Sequence, residues 1–203
     1  MRLIGMLDSP YVRRVAISLK FMDIPFLHEP VSVFSQFETF AKFNPVVKAP
    51  TLVTNGGTTL MDSTLILDYL ERLAPPDRRL TPADAAGYAR AQHITGLALA
   101  ACEKTVQIVY EFNLRPAEKR HQPWIDRVRG QLLAAYRLLE TEITDQTWLF
   151  ETRPLQPDIS AAVSWRFTQS VLPDIVKSSH HPKLSLFSER AEALPEFAST
   201  PLD

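Results

Sequence analysis

Ser9 followed at once by Pro10 is a helix start, with a hydroxyl at the N-cap and a proline at the first helical position. A short apolar run, Leu3 to Met6, precedes it, so the serine falls where a strand candidate hands over to a helix. Its hydroxyl and the first free backbone N–H groups then point into one pocket at the positive end of the helix dipole. That pocket suits an anion. A thiolate lodged there is stabilised by the dipole and by an O–H···S hydrogen bond, each unit of lowered thiol pKa being worth about 1.4 kcal/mol. The same serine also reads as a plain helix cap.

Two further pairs invite the same double reading. The Ala49-Pro50 bond can be held cis at small cost, which would present the Ala49 backbone beside the first helix; a trans proline at the start of a strand is the other possibility. Asp62-Ser63 offers a carboxylate, a hydroxyl and free N–H groups at another helix start. Those groups match an amino acid head group, whose ammonium needs an acceptor and whose carboxylate needs donors, and they also match a cap.

The elements that hold these residues emerge from periodicity. Leu3 to Met6 is a strand and the helix after Pro10 runs to Met22, with Val12, Val15, Ala16 and Leu19 as its buried stripe and Arg13, Arg14 and Lys20 facing solvent. A strand over Pro25 to Val31 is followed by a short helix through Phe37, Phe40 and Ala41 that ends at Asn44-Pro45. Thr51 to Val53 and Thr58 to Met61 flank the turn Asn55-Gly56-Gly57 as a hairpin. Asp62 caps a third helix carrying Leu65, Ile66, Tyr69, Leu70 and Leu73, which completes the order βαβαββα.

The remainder reads as helices only. Ile94, Leu97, Ala98, Ala101, Thr105, Ile108 and Val109 mark a long one; Ile125, Val128, Leu132, Tyr136, Leu139 and Ile143 mark a second that packs antiparallel to it. A third opens at Pro157-Asp158 and carries Ile159, Ala162, Val163, Phe167 and Val171, and a fourth comes after Pro182. The division is residues 1–75, a proline-marked linker over 76–83, and an all-helical domain over 84–203.

Composition narrows the function classes. With 22 Lys and Arg against 23 Asp and Glu, the net charge of −1 gives no electrostatic footprint for nucleic acid. The longest uncharged stretch, Ala49 to Met61, contains Pro, Asn and Gly and is too short to span a bilayer. Arg2 and Asp8 leave no room between them for a secretory signal core, and a single cysteine suits a reducing compartment, so the expectation is a cytoplasmic protein with no membrane partner. Cys102 sits in an apolar run and reads as a buried small hydrophobe. His180-His181 is the only adjacent histidine pair, and neighbours in sequence do not share a helix face, so no metal is expected. Arg115, Lys119, Arg120, Arg127 and Arg129 make one stretch locally basic, as solvated faces commonly are.

Taken together, Ser9-Pro10-Tyr11-Val12-Arg13-Arg14-Val15, Asn44-Pro45-Val46-Val47-Lys48-Ala49-Pro50-Thr51-Leu52 and Met61-Asp62-Ser63-Thr64-Leu65-Ile66-Leu67-Asp68-Tyr69-Leu70 resemble the cytosolic glutathione S-transferase superfamily, its bacterial members especially. The resemblance covers nearly the whole chain and implies a thioredoxin-like, glutathione-binding α/β domain followed by an all-α domain. It implies that Ser9 hydrogen-bonds the glutathione sulfur, that Ala49 pairs through its main chain with the cysteinyl part beside a cis Pro50, and that Asp62 and Ser63 hold the γ-glutamyl end. Lys48 flanks the glycyl carboxylate in that picture, and a solvated lysine is the equal alternative. The other substrate is a small hydrophobic electrophile, with Tyr11, Val106 and Tyr110 as candidate walls, and members normally form homodimers.

Two departures accompany the resemblance. A Ser or Thr normally stands three residues before Asp158 to complete a capping box, and Leu155 occupies that place. Members that form mixed disulfides carry cysteine at or beside the Ser9 position, and this chain has none there, which disfavours redox chemistry through a protein thiol. The competing function is a non-catalytic scaffold of the stringent-starvation-protein type, which shares this fold and binds RNA polymerase.

Overall fold

The alternation of apolar runs with amphipathic ones produces β1 (Arg2–Ile4), α1 (Pro10–Phe21), β2 (Leu27–Glu29), α2 (Phe37–Ala41), β3 (Thr51–Val53), β4 (Thr59–Met61) and α3 (Ser63–Leu73). The computed structural model describes residues 1–150 and 152–202, which divide into two units: residues 1–81 together with the chain from Ala193 onward, and residues 82–192.

The first unit is built on a four-stranded sheet in the order β2-β1-β3-β4, with β1 parallel to β2 and antiparallel to β3, and β3 antiparallel to β4. This is a thioredoxin-like mixed sheet. Asn55, Gly56 and Gly57 make the hairpin turn, where Gly57 adopts φ +84°. Thr58 belongs to that turn rather than to β4, since its N–H donates to Thr54 Oγ1 and its carbonyl accepts from the Thr54 N–H. Leu3, Ile4, Val12, Val15, Ala16, Leu19, Leu52, Ile66 and Leu70 form the core.

Three expectations need correction. Arg13 and Arg14 do not face solvent: they are 1% and 2% exposed, because α1 is covered on more than its apolar stripe. Arg13 Nε donates to the carbonyl of Thr200 at 2.7 Å, and its guanidinium lies over the ring of Phe197. On α3 the buried apolar residues are Ile66, Leu67 and Leu70, while Leu65 and Leu73 are exposed, so the covered stripe is narrower than the apolar pattern. The short second helix stops at Ala41, and its last turn closes through Asn44 N–H donating to the Phe40 carbonyl at 3.1 Å.

Residues from Ala193 onward, counted with the helical half by composition, join the first unit. The cause is a short helix over Pro195–Ala198, whose Phe197 is 1% exposed and meets Phe21 edge to face. The proline-marked connection is likewise anchored: Glu71 accepts hydrogen bonds from the N–H groups of Leu80 and Thr81 at 3.1 and 3.0 Å, and Leu80 is fully buried.

The second unit consists of α4 (Ala85–Asn113), α5 (Gln122–Glu142), α6 (Gln156–Val171) and α7 (Pro182–Glu192); the short helix that returns to the first unit is α8 (Pro195–Ala198). At 29 residues α4 is about 43 Å long and packs against both α5 and α6. Ile94, Ala98, Ala101, Ile108, Ile125, Val128, Leu132, Leu139, Ile159 and Ala162 form the core of this unit, whereas Val171 at the end of α6 is exposed. A polar chain runs through that core. Tyr136 Oη donates to the Ser164 carbonyl and lies 2.6 Å from Thr168 Oγ1, which lies 2.8 Å from Thr105 Oγ1. Cys102 is buried, as its apolar run implies, with Sγ 3.2 Å from Ser164 Oγ. Half of the capping box at α6 survives the loss of its hydroxyl: the Leu155 N–H donates to Asp158 Oδ2 at 2.9 Å, and the Leu149 N–H donates to Oδ1 at 2.8 Å. Among the described residues no helix is long and apolar enough to cross a membrane.

Candidate functional site

The register of the sheet brings several of the candidate residues to one end. Ile4 pairs with Thr51 and Thr51 with Met61, so the next residue on each strand emerges at one end of the sheet: Gly5 after β1, Pro50 before β3, and Asp62 after β4. Ser9 stands four residues beyond Gly5, at the head of α1.

Ser9 is the N-cap of α1, with extended backbone at φ −74°, ψ 118° and a half-buried side chain. Its Oγ accepts the Val12 N–H at 3.4 Å, a long bond that leaves the hydroxyl proton available to another acceptor. No acidic residue stands in the first turn of α1 to offset the dipole.

The Ala49–Pro50 peptide is cis. Ala49 is half-buried, Pro50 is buried and Lys48 is exposed. The loop leading to them is fixed by Asn44, itself 2% exposed, whose Nδ2 donates to Thr51 Oγ1 at 2.9 Å and whose Oδ1 accepts the Val46 N–H at 3.0 Å. Thr51 Oγ1 in turn donates to the Lys48 carbonyl at 2.7 Å. Periodicity marks Asn44 only as a helix end; the Asn-Pro pair is the signal for a turn that positions the cis-proline loop.

Asp62 adopts φ +71°, a left-handed conformation uncommon for a residue with a side chain, and caps α3 by accepting the Thr64 N–H on Oδ1 at 2.9 Å. Ser63, the first helical residue, is 5% exposed, and its Oγ accepts from Arg14 Nη1 at 3.1 Å. Arg14 therefore reaches from α1 to the start of α3, a link that local sequence patterns do not announce.

Gly5 and His28 also belong to this region and have no motif around them. Gly5 sits at φ +137°, and a Cβ built on it would lie 2.6 Å from Val12 Cγ2 and 3.3 Å from Ala49 Cβ. Only glycine lets the strand exit pass so close to both α1 and the cis-proline loop. His28 Nε2 donates to the Gly5 carbonyl at 2.8 Å and holds that exit in place.

The three residues expected as pocket walls lie on α1 and α4. Tyr11 is half-buried in the first turn of α1. Val106 and Tyr110 share a face of α4 at a spacing of four, the first half-buried and the second 44% exposed. Among the described residues no group of three or more His, Cys, Asp or Glu side chains is gathered as a metal site.

Chemically, two helix N-termini frame the end of the sheet. One carries a hydroxyl and suits an anion; the other pairs a carboxylate with a hydroxyl and suits a zwitterion.

Comparison with known proteins bears on the family and the fold. The family model for the N-terminal domain of glutathione S-transferases matches residues 3–78. The chain is 30% identical, over 97% of its own length and 98% of the relative's, to an uncharacterized GST-like protein, YibF, of Escherichia coli K12. A glutathione S-transferase from Methylobacterium radiotolerans, crystallised with glutathione sulfonate, superposes with a TM-score of 0.90 at 29% identity, covering 98% of this chain and 93% of that one. A glutathione transferase family member from Pseudomonas fluorescens, with bound S-(propanoic acid)-glutathione, gives 0.82 at 26% identity, with 98% of each chain covered. Sharing both the thioredoxin-like sheet and nearly the full length of its relatives, the chain belongs to the glutathione S-transferase superfamily.

Proposed function

We propose that this chain is a cytoplasmic, homodimeric glutathione transferase that binds glutathione on the thioredoxin-like unit, raises its thiolate fraction, and transfers the sulfur to a small hydrophobic electrophile or uses it to reduce one. The observation that carries the reading is the strand register, which sets Gly5, Pro50 and Asp62 side by side at the sheet end that also leads to Ser9. The glutathione ligands of similar proteins support it.

In this reading Ser9 donates its hydroxyl proton to the sulfur, and the N–H groups of α1 favour the anion. Ser9 stabilises the thiolate and is not itself a nucleophile. The Ala49 main chain pairs with the cysteinyl backbone. Asp62 accepts from the γ-glutamyl ammonium, while Ser63 and the first N–H groups of α3 donate to the neighbouring carboxylate. Lys48 faces the glycyl carboxylate. The thiol proton leaves to solvent, the sulfur lone pair forms the new bond at the electrophilic atom, and the displaced pair departs with the leaving group.

A second reading has one observation in its favour: Ser9 and Asp62 both cap helices, a task that a non-catalytic scaffold binding RNA polymerase would equally require. Retention on immobilised glutathione, followed by calorimetry, separates the two. The wild-type chain is expected to bind glutathione, and Asp62→Ala to bind it about tenfold more weakly, as suits loss of one hydrogen bond to a charged group. Unchanged affinity removes Asp62 from the site, and no binding by the wild type overturns the transferase reading in favour of the scaffold. Turnover of an electrophile panel with and without glutathione then separates conjugation from reduction, and light scattering reads the dimer.

A further inference from the structure

Val47 takes φ +51°, a left-handed conformation poorly suited to a β-branched side chain, in the loop that leads to Ala49. Such a residue keeps that shape only where its surroundings leave it no alternative. Two constraints are local. The Val47 N–H donates to the Asn44 carbonyl at 2.9 Å and closes a turn, and the Val47 and Ala49 side chains both pack against the cluster of Ile4, Val31 and Phe40, while Lys48 between them is exposed.

The third constraint is a relay of hydrogen bonds with one direction. Asn44 Oδ1 accepts the Val46 N–H, which orients the amide so that Nδ2 donates to Thr51 Oγ1 at 2.9 Å; the same Nδ2 lies 3.7 Å from Met61 Sδ, one residue before Asp62. A threonine hydroxyl has a single proton, and Thr51 gives it to the Lys48 carbonyl at 2.7 Å. Asn44 is 2% exposed and Thr51 is fully buried, so bulk water does not compete for these bonds.

The direction of the relay carries into the next peptide group. Lys48–Ala49 is a trans peptide, whose carbonyl and N–H point to opposite sides of the chain. With the carbonyl turned inward onto Thr51, the Ala49 N–H faces the other way, and among the described residues it has no backbone acceptor. A main-chain donor held in place before a ligand arrives lowers the entropy lost on binding.

We propose that Thr51, fixed by Asn44, is a positioning residue for glutathione: its hydroxyl holds the Lys48–Ala49 peptide so that the Ala49 N–H is set to donate to the cysteinyl carbonyl, without touching the ligand. This rests on the glutathione reading of the site. It also gives the left-handed valine a purpose, since the turn at Val47 delivers the Lys48 carbonyl to Thr51.

The test compares glutathione with its analogue in which the cysteinyl carbonyl is reduced to a methylene, by calorimetry on the full chain, with thermal unfolding followed in parallel. The variants are Thr51→Val, which keeps the shape and loses the hydroxyl, and Thr51→Ser, which keeps the hydroxyl. Thr51→Val should weaken glutathione about fivefold, as suits loss of one well-placed hydrogen bond, and change the analogue by less than about twofold, since the analogue offers the Ala49 N–H no acceptor. Thr51→Ser should bind glutathione within about twofold of wild type. Hydrogen exchange read by nuclear magnetic resonance gives a second measure: glutathione should protect the Ala49 N–H in the wild type about fivefold more than in Thr51→Val.

Equal weakening of both ligands by Thr51→Val, a Thr51→Ser variant as weak as Thr51→Val, or equal protection of the Ala49 N–H in both proteins overturns the positioning role and leaves only a packing one. If Thr51→Val does not fold, Thr51→Cys, whose thiol is a weak donor, carries the same comparison: a loss confined to glutathione supports the role, and an equal loss on both ligands refutes it. A wild-type chain that binds neither ligand overturns the parent reading instead, so the two failures are told apart.

Discussion

Replacing Gly5 by alanine introduces a methyl group where the structure leaves no space. A Cβ at that position lies 2.6 Å from Val12 Cγ2 and 3.3 Å from Ala49 Cβ, whereas carbon atoms at ease stand roughly 3.5–4.0 Å apart. The backbone adds a second difficulty, for φ +137° is a conformation that side chains rarely adopt. Strain of that kind costs about 1–3 kcal/mol and overpacking about 1–3 kcal/mol, so Gly5→Ala should destabilise the fold by about 2–6 kcal/mol. That is a large share of the roughly 5–15 kcal/mol that holds a domain together. The two contributions are separable. Val12→Ala removes the clashing methyl but not the backbone strain, so the double variant should be about 1–3 kcal/mol more stable than the sum of the single changes predicts. Urea unfolding of the four proteins, followed by circular dichroism, gives these numbers. Glutathione affinity should fall alongside stability, because Val12 belongs to the first turn of α1 and Ala49 precedes the cis proline. Gly5→Ala unfolding within about 0.5 kcal/mol of wild type, or strict additivity with Val12→Ala, would refute the argument.

Ser9→Ala should raise the pKa of bound glutathione thiol by about one unit or more with little change in affinity, read by ultraviolet thiolate absorbance; an unmoved pKa sinks the assigned role. Burial pushes the Asp158 carboxyl up from its ordinary 3.8 to about 6, against the pull of its backbone N–H partners. The folded chain therefore holds that proton longer than the unfolded one, and this carboxyl's stabilising contribution is full below about pH 4 and falls by roughly 3 kcal/mol as the pH rises to about 6. The slope should be missing in Asp158→Asn, and a wild-type minus variant difference that is flat or rising across that window contradicts it. Phe197→Ala should cost about 3–5 kcal/mol, since the ring is 1% exposed between Phe21 and the Arg13 guanidinium; a loss below about 1 kcal/mol in urea unfolding would show that α8 is dispensable.

How much of the molecule is readable from its sequence depends on how far each residue's partners lie along the chain. The starts of α1, α3 and α6 are set by Ser9-Pro10, by Asp62 and by Pro157-Asp158, all within a few residues, and the turn at Asn55-Gly56-Gly57 fixes the hairpin locally. The thioredoxin-like order comes from those signals. Arg13 and Arg14 resist such reading because their acceptors, Thr200 and Ser63, lie 187 and 49 residues away; a helical wheel gives arginine to the solvent face by default. The constraint on Gly5 comes from three segments crossing, β1, α1 and the loop before β3, and no window contains all three. Leu65 and Leu73 depart in the other direction, since an apolar residue at helical spacing is buried only if something lies over it. Asp158 is legible as a cap despite Leu155, because one carboxylate serves two backbone donors without its usual hydroxyl partner.

The return of the segment after Ala193 to the first unit imposes an order on synthesis. Every residue of the helical unit is translated before Phe197, so the sheet is the half that waits for the segment after Ala193 to pack against it. A chain cut short after Glu192 should therefore protect its helical half from protease while Arg13, deprived of its carbonyl partner on Thr200, leaves the back of α1 vulnerable.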